Sequence, residues 1–300
     1  MTVISSSAIS ELVGSSQHGA ITNDSLKDED NAAWVLQLES SVRREWIERI
    51  TWIRVVDRLA EGELIERHSS GFWRFREGWK SLMASGCVNP AKDYQGILAK
   101  IHDRWFTGSS PDWVSIRAWD RYVDAIETYH QPNLTIDTLM DYEDMLGGLA
   151  GSFSQVLPFL AQRHQELVFH LGVLDQFYNN LRDLGEDANR GICYFPTQVL
   201  GQFGLNRSDI LQLRCFDHPG YYQLMQFWMD EYLPTLRAQA GDLTLLEDLH
   251  PSWQILRDWS LYRYSRIERI LRRVDLNFVR FQNLYWAEVK SDLQGICCNS

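Results

Sequence analysis

The sequence has no paired cysteine framework: its five cysteines (Cys87, Cys193, Cys215, Cys297 and Cys298) form no CxxC pair. Neither a disulfide scaffold nor a zinc site is expected, and a reduced compartment is the default reading. Hairpin signals are missing too. No Asn-Gly or Asp-Gly dipeptide occurs and no segment sustains a period-two alternation, which argues against β-structure. Positive charge is scarce: 29 Lys and Arg stand against 40 Asp and Glu, for a net charge of -11. An acidic chain offers nucleic acid no counter-charge, so none is expected as a partner. No GxGxxG unit marks a dinucleotide fold. The N-terminus lacks the basic start and apolar core of a signal peptide. The longest uncharged run, Met145 to Gln162, is broken by glycines and Pro158 and falls short of a membrane span. A soluble, cytoplasmic protein is expected, with peripheral membrane contact left open.

What is present is helical periodicity. Residues 1–30 are Ser-rich and read as a flexible N-terminal tail. From there no linker interrupts the chain, so residues 31–296 read as one helical domain. Helix starts are expected at Asn89-Pro90, at Ser110-Pro111-Asp112 with Pro111 in the first helical position, and at Thr135 with Asp137 close behind. The fold class is all-α, with ten or more helices.

The chemistry concentrates between Gln176 and Pro196. Gln176, Asn179, Asp183 and Asp187 are spaced 3, 4 and 4 apart, which lines four polar heads along one helix face. Phe177, Leu181 and Leu184 make that helix a buried one. Carboxylates carried inward need a positive partner. A hard divalent cation such as Mg2+ suits oxygen ligands; pairing with Arg182 or Arg190 is the structural alternative. A second acidic pair, Asp57 and Glu61, lies four apart with Arg54 one turn earlier, and Arg54 or Arg58 could neutralise it on a solvated face. The small-residue patch Leu146 to Gly151 implies a close approach to its backbone, either tight helix packing or room for a ligand. The eight histidines show no i, i+4 ligand spacing and read as structural or exposed.

Taken together, these blocks resemble the squalene/phytoene synthase family. The family pattern Q-x-x-N-x-x-R-D-x-x-x-D followed by A-x-R-G-x-x-Y-x-P is matched by Gln176, Asn179, Arg182, Asp183, Asp187, Ala188, Arg190, Gly191, Tyr194 and Pro196. Its glycine-rich segment with a preceding tyrosine is similar to Tyr142 with Gly147, Gly148 and Gly151, and its first aspartate motif is similar to Trp52 through Glu61. The resemblance covers roughly residues 34–290. It implies an isoprenoid-synthase-type bundle around a central apolar cavity, and Mg2+-dependent head-to-head condensation of two farnesyl or geranylgeranyl diphosphates to a C30 or C40 product such as phytoene, squalene or presqualene diphosphate.

It also implies roles. Asp57, Glu61, Asp183 and Asp187 would hold metal. Tyr142, Arg54, Arg182, Arg190 and Tyr194 would act in catalysis, and Gln176, Asn179, Gly147, Gly148 and Gly151 would contact substrate. A core tyrosine with a locally bonded hydroxyl is the alternative for Tyr142. Three departures stand out: Arg58 where an acid is common, Glu61 where Asp is usual, and Ile192 where an arginine often follows Arg-Gly. The family's Ser-Phe segment has no counterpart before Trp34, the nearest residues being Asp30 and Asn31. These departures keep open a second class, an inactive relative that binds isoprenoids or assists complex assembly. NADPH use, product chain length and oligomeric state are not readable.

Overall fold

The computed structural model describes residues 30–67, 71–241, 246 and 248–299, with side chains described as far as residue 292. The stretch read as a tail lies outside these residues except for Asp30, which is buried. Among the described residues every regular element is helical.

Twelve helices are labelled here. They are α1 (Ser40–Ala60), α2 (Phe72–Ser85), α3 (Ile97–Trp105), α4 (Trp113–Tyr129), α5 (Leu139–Leu146), α6 (Gln165–Asn189), α7 (Thr197–Gln202), α8 (Arg207–Leu211), α9 (Pro219–Gln226), α10 (Leu233–Ala240), α11 (Pro251–Arg273) and α12 (Phe278–Asn299). Helix α6 is the axis of the bundle. Val168, Leu171, Leu174, Phe177, Leu181 and Leu184 are buried along it, and α5, α10, α11 and α12 pack around it. An apolar residue every three or four positions on several faces forces such a helix to the centre, where each face finds a partner.

Two of the three expected helix starts shift. Asn89 does cap Pro90, its side chain accepting from the Ala91 amide. At α4, however, Asp112 is the cap, accepting from the Ser115 amide at 3.2 Å, and Pro111 precedes it. At α5 the cap is Thr138, reciprocally bonded with Asp141; Thr135 lies outside. In both places the carboxylate at the cap or three residues on fixes the boundary, because it satisfies amides the first turn leaves open.

Two helices widen into π-helical turns beside the cavity described below: α1 continues as Glu61–Ile65 and α5 as Gly147–Gly151. The second turn carries the glycine patch. A Cβ on Gly151 would lie 2.6 Å from the Phe169 ring, one on Gly147 2.8 Å from the same ring, and one on Gly148 2.9 Å from Ala125. From the facing helix, a Cβ on Gly172 would come within 2.2 Å of the Ala150 carbonyl oxygen. Tight packing of α4, α5 and α6 therefore accounts for the small residues.

Candidate functional site

A cavity of ≈ 420 Å³ is enclosed by α1, α4, α6 and α11 together with residues 31–34 and the loop after α6. Because α6 repeats every 3.6 residues, positions 172, 175, 176, 179, 183, 186, 187 and 190 return to one face, and all of them line this cavity. Gln176, Asn179, Asp183, Asp187 and Arg190 thus share one wall. Arg54, Asp57, Arg58 and Glu61 of α1 line the opposite side.

The acids are held in pairs. Arg182 donates from Nε and Nη2 to the two carboxylate oxygens of Asp183, each at 2.8 Å, and both side chains are almost fully buried. Burial opposes the charge of Arg182, but Asp183 more than restores it. Asp57 Oδ1 lies 3.0 Å from His130 Nε2 at the end of α4. Glu61 meets Arg190 at 3.5 Å, and Arg190 also reaches Glu186 at 3.3 Å. Burial and then the nearby charge of Asp57 push the Glu61 carboxyl above its ordinary value, against the pull of Arg190 and His130. The Tyr194 phenol is raised by burial and then by Asp187, Asp57, Glu61 and Asp183 in turn. Tyr194 and all four acids line the same cavity.

The loop that carries Tyr194 is fixed locally. Gly191 takes a left-handed backbone, φ +76°, which a side chain would strain. The Ile192 amide closes back on the Asp187 carbonyl at 2.8 Å. Arg207 then ties the loop down, donating to the Gly191 and Leu134 carbonyls.

Four of the residues read as site residues do not line the cavity. Tyr142 is fully buried among Trp228 and Tyr232, and its hydroxyl accepts from Asn180 Nδ2 at 3.1 Å. Asn180 in turn receives Gln176 at 2.9 Å. The phenol thus stands behind the wall, where burial raises its pKa. Gly147, Gly148 and Gly151 are likewise absent from the lining, because Phe169 and Ala125 fill the space their side chains would need.

Several lining residues are not among those expected from the sequence. His130 departs from the structural or exposed role expected of the histidines. Asp175, one turn before Asn179, accepts from Asn179 at 3.1 Å, from the Tyr264 hydroxyl at 2.7 Å and from Arg263. Asn31 Oδ1 accepts from both Arg182 and Arg263. Asp30 beside it is buried against Arg266 and Tyr285, so of the two residues that stand where the Ser-Phe segment was sought, Asn31 lines the cavity and Asp30 does not. Asp175 alone carried a signal, its place on the α6 stripe; the others meet the site across the fold.

Away from the acids the walls are apolar. Trp34, Trp46 and Trp253 stack edge to face, with centroids 4.7 and 5.0 Å apart, and line the cavity with Leu149, Phe153 and Leu157. Among the described residues no three His, Cys, Asp or Glu side chains converge closely enough to enclose a metal by themselves. Asp183, Glu186 and Asp187 nevertheless present hard oxygen donors on adjacent turns of one wall. That donor set fits Mg2+, which takes one or two carboxylates and completes its shell with water and phosphate.

The sequence profile described as squalene/phytoene synthase matches residues 26–287. A 15-cis-phytoene synthase from Synechococcus elongatus is 34% identical over 96 residues, covering 31% of this chain and 29% of that protein. A phytoene synthase from Arthrospira platensis is 34% identical over 113 residues, covering 35% and 34%. The matched stretches thus span about a third of these relatives' own length. Among solved structures, a squalene synthase from Alicyclobacillus acidocaldarius superposes with a TM-score of 0.65 at 19% identity, covering 91% of this chain and 94% of that one. A dehydrosqualene synthase superposes with a TM-score of 0.60 at 15% identity, covering 89% and 92%. At such identities the structural likeness carries the fold.

Proposed function

This chain belongs to the squalene/phytoene synthase family, and we propose that it condenses two prenyl diphosphates, farnesyl or geranylgeranyl, head to head into a C30 or C40 product. The observation that carries this reading is that Asp57 and Glu61 from one wall and Asp183 and Asp187 from the other line a single cavity together with Trp34, Trp46, Trp253 and Phe153. A polar clamp on an apolar chamber matches an amphiphile with a phosphorylated head and a hydrocarbon tail.

The reaction requires the allylic carbon–oxygen bond to break, the electron pair leaving with diphosphate, before the double bond of the second chain attacks the carbon and the cation so formed on that chain loses a proton. Asp183 and Asp187 would hold Mg2+, which when bound supplies Lewis-acid neutralisation of the departing charge. Arg54 and Arg190 line the same cavity and offer guanidinium donors to phosphate oxygens, while Arg182, bonded to Asp183 and Asn31, holds the Asp183 carboxylate in place. Gln176 and Asn179 add amide groups on the α6 wall. Trp34, Trp46, Trp253 and Phe153 keep water from the cationic carbon, and their ring faces favour positive charge. Among the described residues no helix is long and apolar enough to cross a membrane.

The test is incubation of the purified chain with labelled farnesyl or geranylgeranyl diphosphate and Mg2+, followed by extraction of hydrocarbon-soluble label. Product is expected from at least one substrate. Folded protein that releases diphosphate from neither overturns the reading.

A further inference from the structure

Charge is divided unevenly between the two walls of the cavity. On the α6 wall two arginines, Arg182 and Arg190, stand with four carboxylates, Asp175, Asp183, Glu186 and Asp187, and the Arg182 guanidinium is engaged with Asp183 through two hydrogen bonds. On the α1 wall two arginines, Arg54 and Arg58, stand with two carboxylates, Asp57 and Glu61. Arg190 reaches across the cavity, meeting Glu61 on the α1 side as well as Glu186 of its own wall. The α1 wall is therefore balanced, while the α6 wall keeps two more negative charges than positive ones.

A divalent cation is drawn to the wall with the surplus of carboxylate. Carboxylates meet cations on both walls, His130 on Asp57 and Arg190 on Glu61 against Arg182 on Asp183, Arg190 on Glu186 and Arg263 on Asp175, so the larger number of carboxylates on α6 is what favours the metal there. What α1 offers instead is guanidinium. Arg58 decides this balance, since an acid at that position would make the wall net negative by two charges. It is exposed at the cavity's edge while its side chain lines the cavity. A long stem ending in a planar donor fork can close on a phosphate group there.

We propose that Arg58 binds the diphosphate group of the substrate directly, without a bridging metal, and that the divalent cation is held by the α6 wall alone. This rests on reading the cavity as a prenyl-diphosphate site.

The test titrates the full chain calorimetrically with inorganic diphosphate, in EDTA and in Mn2+, and counts bound Mn2+ by electron paramagnetic resonance at saturating diphosphate. Wild-type protein is expected to bind diphosphate in EDTA, and Arg58→Gln to weaken that binding about tenfold. Glu61→Gln is expected to keep the wild-type Mn2+ count and Asp187→Asn to lower it. The proposal is overturned by unchanged metal-free affinity in Arg58→Gln, by loss of Mn2+ in Glu61→Gln, or by a full count in Asp187→Asn. Wild-type binding that appears only with Mn2+ overturns it and leaves the prenyl-diphosphate reading standing. No diphosphate bound under either condition overturns both.

Discussion

His130 Nε2 lies 3.0 Å from Asp57 Oδ1, tying the end of α4 to the acidic turn of α1 across the cavity wall. Burial opposes the charge on each partner, yet each favours the charged form of the other. The imidazole, bonded by Asp57 with Glu61 behind it, is raised above 6.5. The Asp57 carboxyl, bonded by His130 with Arg54 and Arg58 nearby, is held below 3.8.

That pair predicts a pH window. The stabilisation from His130 is complete below its unfolded pKa of 6.5 and fades as pH rises through the higher folded value. The contribution of Asp57 is complete above 3.8 and fades as pH falls through the lower folded value. The difference in Tm between wild type and His130→Gln is thus expected to be widest between pH 3.8 and 6.5 and to narrow above it. Thermal melts across pH check this; a difference that grows with alkalinity would contradict the pairing.

Asp183 and Asp187 are expected to respond differently to substitution. Asp183→Ala removes the carboxylate bonded twice by the buried Arg182 guanidinium, a loss of about 3–5 kcal/mol. Lost activity there arrives with a lower Tm. Asp187→Asn keeps side-chain volume and leaves that pair intact. It is expected to abolish Mg2+-dependent product formation while moving Tm by no more than about 4 °C. Calorimetry beside the product assay separates the two cases.

Tyr142→Phe is expected to cost stability more than turnover. The hydroxyl accepts from Asn180 behind the cavity wall, so its removal leaves a buried amide donor unpaired, at about 1–2 kcal/mol. Product formation is expected to stay within about tenfold of wild type, less than about 1.4 kcal/mol on the barrier. A loss of a hundredfold or more would place the phenol in the chemistry.

Gly172→Ala tests the packing that shapes the cavity. Its Cβ would lie 2.2 Å from the Ala150 carbonyl oxygen and 2.5 Å from Ser154 Oγ, and backbone cannot yield as a flexible side chain does. A loss of about 1–3 kcal/mol is expected in denaturant unfolding. Gly201→Ala, with nothing within 4 Å of its Cβ, is the control. In α7 it is expected to be neutral or to stabilise by up to about 1 kcal/mol.

The sequence by itself determined the all-helical class and the polar stripe of Gln176, Asn179, Asp183 and Asp187, because neighbours on one helix are set by a spacing of three and four residues. The resemblance added the pairing of that stripe with Asp57 and Glu61. Tertiary structure decided what the acids face. His130, Arg263 and Arg190 reach acids from separate elements, and Asn31 meets the Arg182 that holds Asp183; no local period records a contact between residues 73 or 151 positions apart. It also decided against Tyr142 and the three glycines as lining residues, since composition announces a close backbone approach without naming the neighbour. For Gly147 and Gly151 that neighbour is the Phe169 ring, and only packing α5 against α6 brings it there.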